Sequence, residues 1–316
     1  MDTVRVLIIG IGGVGGYFGG HLADHYADHD EVEVIFMARG LHKEKMKNNG
    51  LELLDGSSRI ICKPSLITEN SSEIGKVDYI IVCTKSSELS ATMKSINNCI
   101  DETTVIIPLQ NGVVSTEIIQ QIYPHNLVTY GCAYVISRIV EPGKIVALAY
   151  DNRIYFGSDN PGDKRLIHLE SILRDAGINA KNSQNIKEII WEKYIMVAVM
   201  ATATSYFDEN IGEILNDTEK RDLLIRLIHE AVKVSEALQI EFTEDIHLLT
   251  LKKFEAMDPA ASTSLHHDLK NKKTANELEY LTGYMASKAR QFHVETPVLE
   301  KMYNYLQLSM SSFSKV

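Results

Sequence analysis

The chain has 316 residues, of which 45% are hydrophobic and 23% are charged, a composition typical of a soluble globular protein with about two domains. Its 32 basic and 42 acidic residues give a formal net charge of -10, which argues against broad binding to nucleic acids or anionic membranes. The longest apolar stretch, residues 194–203, is about half the ~20 residues that a membrane-spanning helix needs.

The chain begins with an apolar run that leads into a glycine-rich turn. The run at residues 4–9 is followed by Gly10, Gly12 and Gly15, which form the pattern G-x-G-x-x-G ahead of a helix. In a dinucleotide-binding fold the first glycine allows a tight turn, the second lets the backbone approach a pyrophosphate, and the third lets the helix pack on the strand. The N–H groups at the start of that helix favour an anion. The stretch therefore predicts a nucleotide site, against the simpler interpretation as a turn that binds nothing.

The start of the chain and its cysteines bear on location. Residues 1–3 lead straight into the first strand, which leaves no room for a signal peptide. The four cysteines lie far apart and form no CxxC pair. We therefore expect a cytoplasmic protein.

The residue after the second strand discriminates between the two nicotinamide cofactors. The strand at residues 31–37 is followed by Arg39, where an NAD enzyme would place an acidic residue to accept hydrogen bonds from the ribose hydroxyls. Arginine suits a 2′-phosphate instead, and His42 and Lys43 follow closely. The pattern favours NADP(H), with a surface arginine at a strand end as the alternative.

Two more apolar runs, residues 78–84 and 104–109, predict buried parallel strands. Lys85 follows the first run, and Asn111 follows the second. Because ligands bind outside the carboxyl ends of the strands in an open α/β sheet, both residues are predicted to lie over the cofactor.

The rest of the pattern divides the chain into two domains. Short strands are predicted within residues 51–66, an antiparallel extension of the sheet within residues 127–157, and a helix at residues 163–176. Beyond about residue 185 the pattern is helical throughout, with predicted helices at residues 186–206, 218–238, 244–257, 274–292 and 296–308. The sequence thus predicts an α/β fold: a doubly wound Rossmann-type domain at residues 1–183 and an all-α domain at residues 184–316.

Lys193 is the most unusual residue of the helical domain, because the apolar stretch of residues 194–203 follows it directly. Apolar surroundings lower the pKa of a lysine by desolvation, which suits it to exchange protons near neutral pH. The alternative is a lysine that extends to water and pairs with Glu188 or Glu192. The residue pattern leaves both interpretations open.

Two histidine-rich segments have spacings that allow a metal site. His21, His25 and His29 are four residues apart, and His266 and His267 precede Asp268. However, His29 falls beyond the predicted end of its helix, and no HExxH motif or cysteine cluster supports the second segment. We predict polar surfaces here and no metal site.

Eight short motifs follow one another along the chain. They are GIGGVG at 10–15, ARG at 38–40, TK at 84–85, QNG at 110–112, WEK at 191–193, IGEIL at 211–215, TSLHHD at 263–268 and ELEYLTG at 277–283. In this order and spacing they resemble the ketopantoate reductase (2-dehydropantoate 2-reductase) family, over essentially the whole chain. The resemblance implies NADPH-dependent reduction of ketopantoate to pantoate, on the route to pantothenate and coenzyme A. It also implies a helical domain like the C-terminal domain of 6-phosphogluconate dehydrogenase.

The resemblance further implies roles for single residues in the reaction. Lys193 would be the general acid that protonates the alkoxide as hydride arrives at the carbonyl carbon, and Glu277 would hold the substrate hydroxyl and the cofactor. Ser264 would contact the substrate carboxylate, and Asn111 would line both cofactor and substrate. The remaining cofactor contacts would come from Gly10, Gly12, Gly13, Gly15, Arg39 and Lys85.

Four positions depart from the family pattern. Where the family has asparagines, this chain has Val197, Ala201, Ile211 and Ala261, and the helix predicted at residues 268–277 carries one extra residue. Fewer amide donors mean fewer hydrogen bonds to a polar substrate. Three functions therefore stay open: a ketopantoate reductase, a reductase of a less polar 2-oxo acid, and a non-catalytic NADP(H)-binding protein. Retention of Lys193 and Glu277 argues against the third.

The helical domain is long enough to contribute a homodimer interface.

Overall fold

The computed structural model of the protein describes residues 3–148 and 152–311. The chain divides into two compact units. The first unit contains Met1–Gln110 and Ser115–Ile186, and the second contains Asn111–Val114 and Lys187–Val316. The domain boundary expected between residues 183 and 184 remains a prediction.

The first unit contains all the strands that the structure describes. The strands are β1 (Val4–Ile9), β2 (Val32–Met37), β3 (Leu51–Asp55), β4 (Ser58–Cys62), β5 (Leu66–Thr68), β6 (Tyr79–Val82), β7 (Val105–Pro108), β8 (Leu127–Val128), β9 (Tyr130–Tyr134), β10 (Ser137–Glu141), β11 (Lys144–Ala147), β12 (Arg153–Gly157) and β13 (Asn179–Asn182). The α-helices that connect them are α1 (Gly13–His25), α2 (Gly40–Asn49), α3 (Leu89–Ser95), α4 (Val114–Ile122) and α5 (Lys164–Asp175).

The main sheet is parallel and has the order β5-β2-β1-β6-β7-β8. Alternate residues of β1 face two different cores: Val6 and Ile8 belong to one hydrophobic cluster, and Leu7 and Ile9 belong to the other. Burial on both faces explains why residues 6–9 of the strand are all apolar rather than alternating. The strand order reverses between β1 and β6, which is where doubly wound sheets bind dinucleotides. The predicted Rossmann-type fold is confirmed.

The predicted antiparallel extension of this sheet is wrong. Instead, β10 and β11 form a hairpin that joins a separate sheet of order β10-β11-β3-β4, and β9 and β12 pair in a third sheet of order β13-β12-β9. Pro142 and Gly143 form the turn of this hairpin. Fully buried Ile145 of β11 packs on Gly16 of α1, which has no side chain of its own. This contact holds the hairpin against α1 instead of at an edge of the main sheet.

The second unit is helical, as predicted. Its helices are α6 (Ile186–Phe207), α7 (Ile211–Asn216), α8 (Thr218–Ala237), α9 (Ile246–Glu255), α10 (Ser264–Lys270), α11 (Tyr284–Gln291) and α12 (Pro297–Ser311), with a π-helical turn at Glu279–Gly283. None of the helices in the described part of the chain has the length and apolar character needed to span a bilayer.

The segment between α10 and α11 differs from the prediction. The helices expected at residues 268–277 and at the start of 274–292 are absent among the described residues, since α10 ends at Lys270 and no helix follows until the π-helical turn. Lys272 has a φ of 54°, which ends regular helix, and the side chain of Asn276 both donates to the carbonyl of Lys273 and accepts from the N–H of Leu278. These local bonds compete with the helical ones.

Candidate functional site

The glycine turn joins β1, β6 and α1 at the point where the strand order reverses. Gly10 has a φ of 86°, and a Cβ on it would lie 2.7 Å from the amide nitrogen of Thr84. A Cβ on Gly15 would lie 2.3 Å from the carbonyl oxygen of Gly10, and one on Gly13 would lie 2.2 Å from that of Ser137 in β10. These three glycines therefore serve close backbone packing.

Gly12 differs from the other glycines of the turn. A Cβ on it would meet nothing within 4 Å, so the space in front of its backbone is open. Gly12 is also the N-cap of α1, where no side chain accepts a hydrogen bond and no acidic residue lies in the first turn. The first N–H groups of the helix consequently have no partner within the helix. Both features fit the pyrophosphate of a dinucleotide.

Polar atoms without partners lie at the carboxyl ends of the neighbouring strands. The hydroxyl of Thr84, after β6, and both amide atoms of Gln110, after β7, are buried and have no hydrogen-bond partner. Gln110 is only 6% exposed. Buried polar groups in this state normally have a partner in water or a ligand. Gln110 was not predicted as a site residue. The signal that could have identified it is its place as a polar residue directly after an apolar strand.

Arg39 lies at the end of β2, as predicted, and forms an ion pair. Its side chain is 75% exposed, and its Nη2 lies 2.8 Å from each carboxylate oxygen of Glu88. Glu88 ends the short 3₁₀ turn Ser86–Glu88, which begins directly after Lys85. The segment that carries Lys85 therefore also supplies a carboxylate to Arg39.

The two basic residues behind Arg39 are engaged within the first unit. Nδ1 of His42 accepts a hydrogen bond from the N–H of Gly143 at 2.9 Å, and burial lowers the pKa of His42. Nζ of Lys43 lies 2.7 Å from Glu69 and 3.1 Å from Glu44. Neither residue presents the unpaired positive charge that the sequence pattern suggested.

In the second unit, Lys193 lies partly buried on α6, between buried Trp191 and Tyr194. The two carboxylates considered as its ion-pair partners have other contacts. Glu188 accepts hydrogen bonds from the amide and the hydroxyl of Thr243 at 2.7 and 2.6 Å, and Glu192 pairs with Lys253. Both carboxylates therefore also make contacts of their own within the second unit.

Asn111 belongs to the second unit, with Lys193, Glu277 and Ser264. The next residue, Gly112, has a φ of 104°, and its Cβ position lies 3.4 Å from the carbonyl oxygen of Tyr280. The position of Asn111 in the sheet topology had predicted only that it lies over the cofactor. The structure adds that Asn111 belongs to the same unit as the helical site residues.

Glu277 directly precedes the π-helical turn. Its carbonyl accepts hydrogen bonds from the N–H groups of Tyr280 and Leu281 at 3.1 and 3.0 Å. The hydroxyl of Tyr194 donates to the carbonyl of Leu281 at 2.6 Å, which ties this turn to the residue next to Lys193. π-Helical turns are frequent at functional sites. The structure thus connects the segment that carries Glu277 with the helix that carries Lys193.

Ser264 is exposed at the first position of α10, a helix held by a polar array that was not predicted from the sequence. His266 is 6% exposed; its Nδ1 lies 2.6 Å from the hydroxyl of Ser262 and its Nε2 lies 2.7 Å from Asp208, at the end of α6. The hydrogen bond from His266, with a further one from Lys270, lowers the pKa of Asp208. Both nitrogens of His266 are thus used, and in the described part of the chain no group of three metal-binding side chains converges.

The four positions that lack the family's asparagine are not equivalent. Ala201 and Ile211 are buried, at 1% and 0% exposure, while Val197 and Ala261 are partly exposed. The N–H of Ile211 also donates to the carbonyl of Ala261 at 3.0 Å. At Ala201 and Ile211 the apolar side chains fill the core of the second unit, which leaves Val197 and Ala261 as the changes that could face a ligand.

The chain matches two models of known families and several known proteins. Residues 6–161 match the model described as ketopantoate reductase PanE/ApbA, and residues 185–309 match its C-terminal counterpart. The crystal structure of 2-dehydropantoate 2-reductase from Porphyromonas gingivalis W83 is 33% identical, with a TM-score of 0.85 over 96% of this chain and 99% of that one. An uncharacterized oxidoreductase of Bacillus subtilis, YkpB, is 27% identical over 96% of this chain and 98% of its own length. A D-mandelate dehydrogenase solved with NADH and anilino(oxo)acetate shares the fold, at 22% identity and a TM-score of 0.82 over 98% of this chain and 100% of that one.

Proposed function

Because this chain belongs to the ketopantoate reductase family and is a nicotinamide-dependent oxidoreductase, we propose that it reduces 2-dehydropantoate to pantoate with NADPH. The predicted nicotinamide cofactor, NADP(H), agrees with the family. The observation that carries the proposal is the link between α6 and the π-helical turn through Tyr194 and Leu281, because it positions the segments of Lys193 and Glu277 together.

The proposed chemistry assigns one proton transfer to the protein. When bound, the nicotinamide supplies a hydride to the carbonyl carbon of the 2-oxo acid. Lys193 donates a proton to the carbonyl oxygen, which becomes the hydroxyl of the product. Glu277 accepts the hydrogen bond of that hydroxyl, and Ser264 and Asn111 bind the substrate, with Ser264 on its carboxylate. The partial burial of Lys193 on α6, the helix that Tyr194 ties to the turn beside Glu277, supports this role.

The first unit is proposed to hold the cofactor. Gly12 and the free N–H groups of α1 would bind the pyrophosphate, in the space that a side chain would otherwise occupy. Gly10, Gly13 and Gly15 would act indirectly, through the packing that forms this space. Arg39 would bind the 2′-phosphate, and Lys85 would lie beside the cofactor.

A second candidate is reduction of a less polar 2-oxo acid. The observation that favours it is Val197, which is partly exposed one helical turn after Lys193, where the family has an amide. An apolar residue there removes a hydrogen bond to a hydroxyl of the substrate and favours a hydrocarbon group instead.

Steady-state kinetics distinguish the two candidates. Purified protein and NADPH are incubated with ketopantoate, pyruvate, 2-oxoisovalerate and benzoylformate, and loss of nicotinamide absorbance is followed. The proposal expects the highest kcat/KM with ketopantoate, whereas higher values with 2-oxoisovalerate or benzoylformate favour the second candidate. Val197→Asn is the informative variant: it should reduce turnover of benzoylformate and leave or improve that of ketopantoate. Turnover of none of the four acids, in protein that binds NADPH, contradicts both candidates.

The proposed partner is a small 2-oxo acid, and the protein is proposed to form a homodimer. Light scattering of purified protein at several concentrations tests the assembly; a monomer mass at all of them contradicts it.

A further inference from the structure

The residue expected to select NADPH is already bound to a carboxylate of its own chain. Both oxygens of Glu88 lie 2.8 Å from Nη2 of Arg39. The two side chains are 75% and 44% exposed, so the pair faces solvent at the end of β2. This is the place where doubly wound folds contact the ribose next to the adenine.

The charges around Arg39 do not favour a phosphate. Lys43 follows on α2, the helix that Arg39 precedes, and it is paired with Glu69 and Glu44. His42 adds little positive charge at neutral pH, since burial lowers its pKa. Arg39 and Lys43 are thus both paired with carboxylates before any cofactor binds. A phosphate monoester carries about −1.5 to −2 charges at neutral pH, so it has to displace Glu88 from Arg39 and is repelled by that carboxylate.

We propose that Glu88 sets the cofactor range, so that the protein binds NADH and NADPH with similar affinity. With NADH, Glu88 accepts a hydrogen bond from the 2′-hydroxyl of the ribose, which is the usual role of a carboxylate at this place. With NADPH, Arg39 exchanges Glu88 for the 2′-phosphate. This inference depends on the proposed role of Arg39 in the cofactor site.

The exchange is physically accessible because the ion pair is exposed. Exposed pairs change an equilibrium by only about 1.5- to 5-fold, so NADPH can displace Glu88 at small cost. Repulsion between Glu88 and the phosphate adds to that cost. Removal of the charge should therefore strengthen NADPH binding by about 3- to 10-fold and weaken NADH binding by about 2- to 5-fold.

Titration of nicotinamide fluorescence measures both dissociation constants without turnover. The proteins are the wild type, Glu88→Gln, Arg39→Ala, the double variant, and Glu102→Gln as a matched control. Glu102 is exposed and lies just before β7, at the amino ends of the strands, so its change removes the same charge from the opposite edge of the sheet. The wild type should bind NADH within about 10-fold of NADPH, one factor of ten being 1.4 kcal/mol.

The variants separate the inference from the function on which it rests. Glu88→Gln should raise the preference for NADPH by about 10-fold, Arg39→Ala should lower it, and Glu102→Gln should leave it unchanged. If Arg39→Ala lowers the preference but Glu88→Gln does not change it, the role of Glu88 is refuted and that of Arg39 stands. If neither change alters the preference, the 2′-phosphate is not bound here and both assignments fail. In the Arg39→Ala background the effect of Glu88→Gln on NADPH should shrink, since part of it acts through the pair.

Discussion

Substitution by alanine should affect the stability of the protein differently at two glycines of the turn after β1. In Gly15→Ala the new Cβ would lie 2.3 Å from the carbonyl oxygen of Gly10, in a buried place where the backbone must move. Overpacking of this kind costs about 1–3 kcal/mol. In Gly12→Ala the Cβ would meet nothing within 4 Å, and the φ of −88° and ψ of −155° suit alanine. The smaller entropy of the unfolded chain and the weaker N-cap then nearly cancel, so stability should change by less than about 1 kcal/mol.

Gly12→Ala should instead weaken cofactor binding, although it leaves stability nearly unchanged. A methyl group there occupies the space proposed for the pyrophosphate, and loss of one charge-assisted hydrogen bond weakens NADPH by about 10- to 100-fold. Thermal unfolding without cofactor and fluorescence titration with NADPH measure the two quantities on the same samples. Gly15→Ala should lower the melting temperature by roughly 2–12 °C, at about 2–4 °C per kcal/mol. Wild-type affinity in Gly12→Ala would refute the proposed place of the pyrophosphate, and a loss of stability like that of Gly15→Ala would show that Gly12 also serves packing.

Three further predictions concern side chains. Lys193→Met should lower kcat by about 10²- to 10⁴-fold with NADPH affinity retained. Lys252 is exposed on α9, so the control variant Lys252→Met should behave as wild type. A kcat of Lys193→Met near that of wild type contradicts the role of Lys193. Gln110→Met removes two unpartnered amide atoms, so it should stabilise the cofactor-free protein by about 1 kcal/mol in urea unfolding and weaken ligand binding; lower stability would mean that the amide is satisfied. The side-chain hydrogen bond from Arg165 lowers the pKa of Asp163 in the folded protein. The ionised carboxylate therefore stabilises the fold fully at pH values above the ordinary aspartate pKa, and this stabilisation is lost as the pH falls through the lowered pKa. Asp163→Asn, which can still cap α5, should therefore be less stable than wild type at neutral pH and equally stable in strong acid, and a difference that persists in acid refutes the argument.

The parts of the fold that the sequence predicted are those decided by one local requirement. A positive φ at Gly10 and the close approaches at Gly15 admit only glycine, so the turn is visible in the sequence itself. Burial on both faces makes residues 6–9 of β1 apolar without alternation, which is typical of a parallel strand. The unit boundaries and the pairing of β11 depend instead on distant partners, such as Ile145 on Gly16, and no local pattern records those.

The sequence predicted the elements that carry the candidate site residues, but not the contacts that these residues make. Arg39 and Lys193 lie on the predicted elements, but the carboxylate that binds Arg39 is 49 positions away in the sequence. The array of Ser262, His266 and Asp208 was missed for the same reason, since a carboxylate 58 positions from the histidine forms no recognisable motif. Spacing indicates which residues share a helix face, whereas contacts between segments depend on the packed fold.

The charge of His266 decides the direction of one hydroxyl proton. Asp208, whose pKa is lowered by hydrogen bonds from His266 and Lys270, accepts from Nε2 of His266. Nδ1 lies 2.6 Å from the hydroxyl of Ser262, so a neutral imidazole accepts the hydroxyl proton there, whereas an imidazolium donates to the hydroxyl oxygen. Ser262 therefore offers a ligand lone pairs alone in the first state and a hydroxyl proton in the second. A substrate carboxylate would be repelled in the first state and bound in the second, so the charge of one buried histidine would decide how this serine meets an anion.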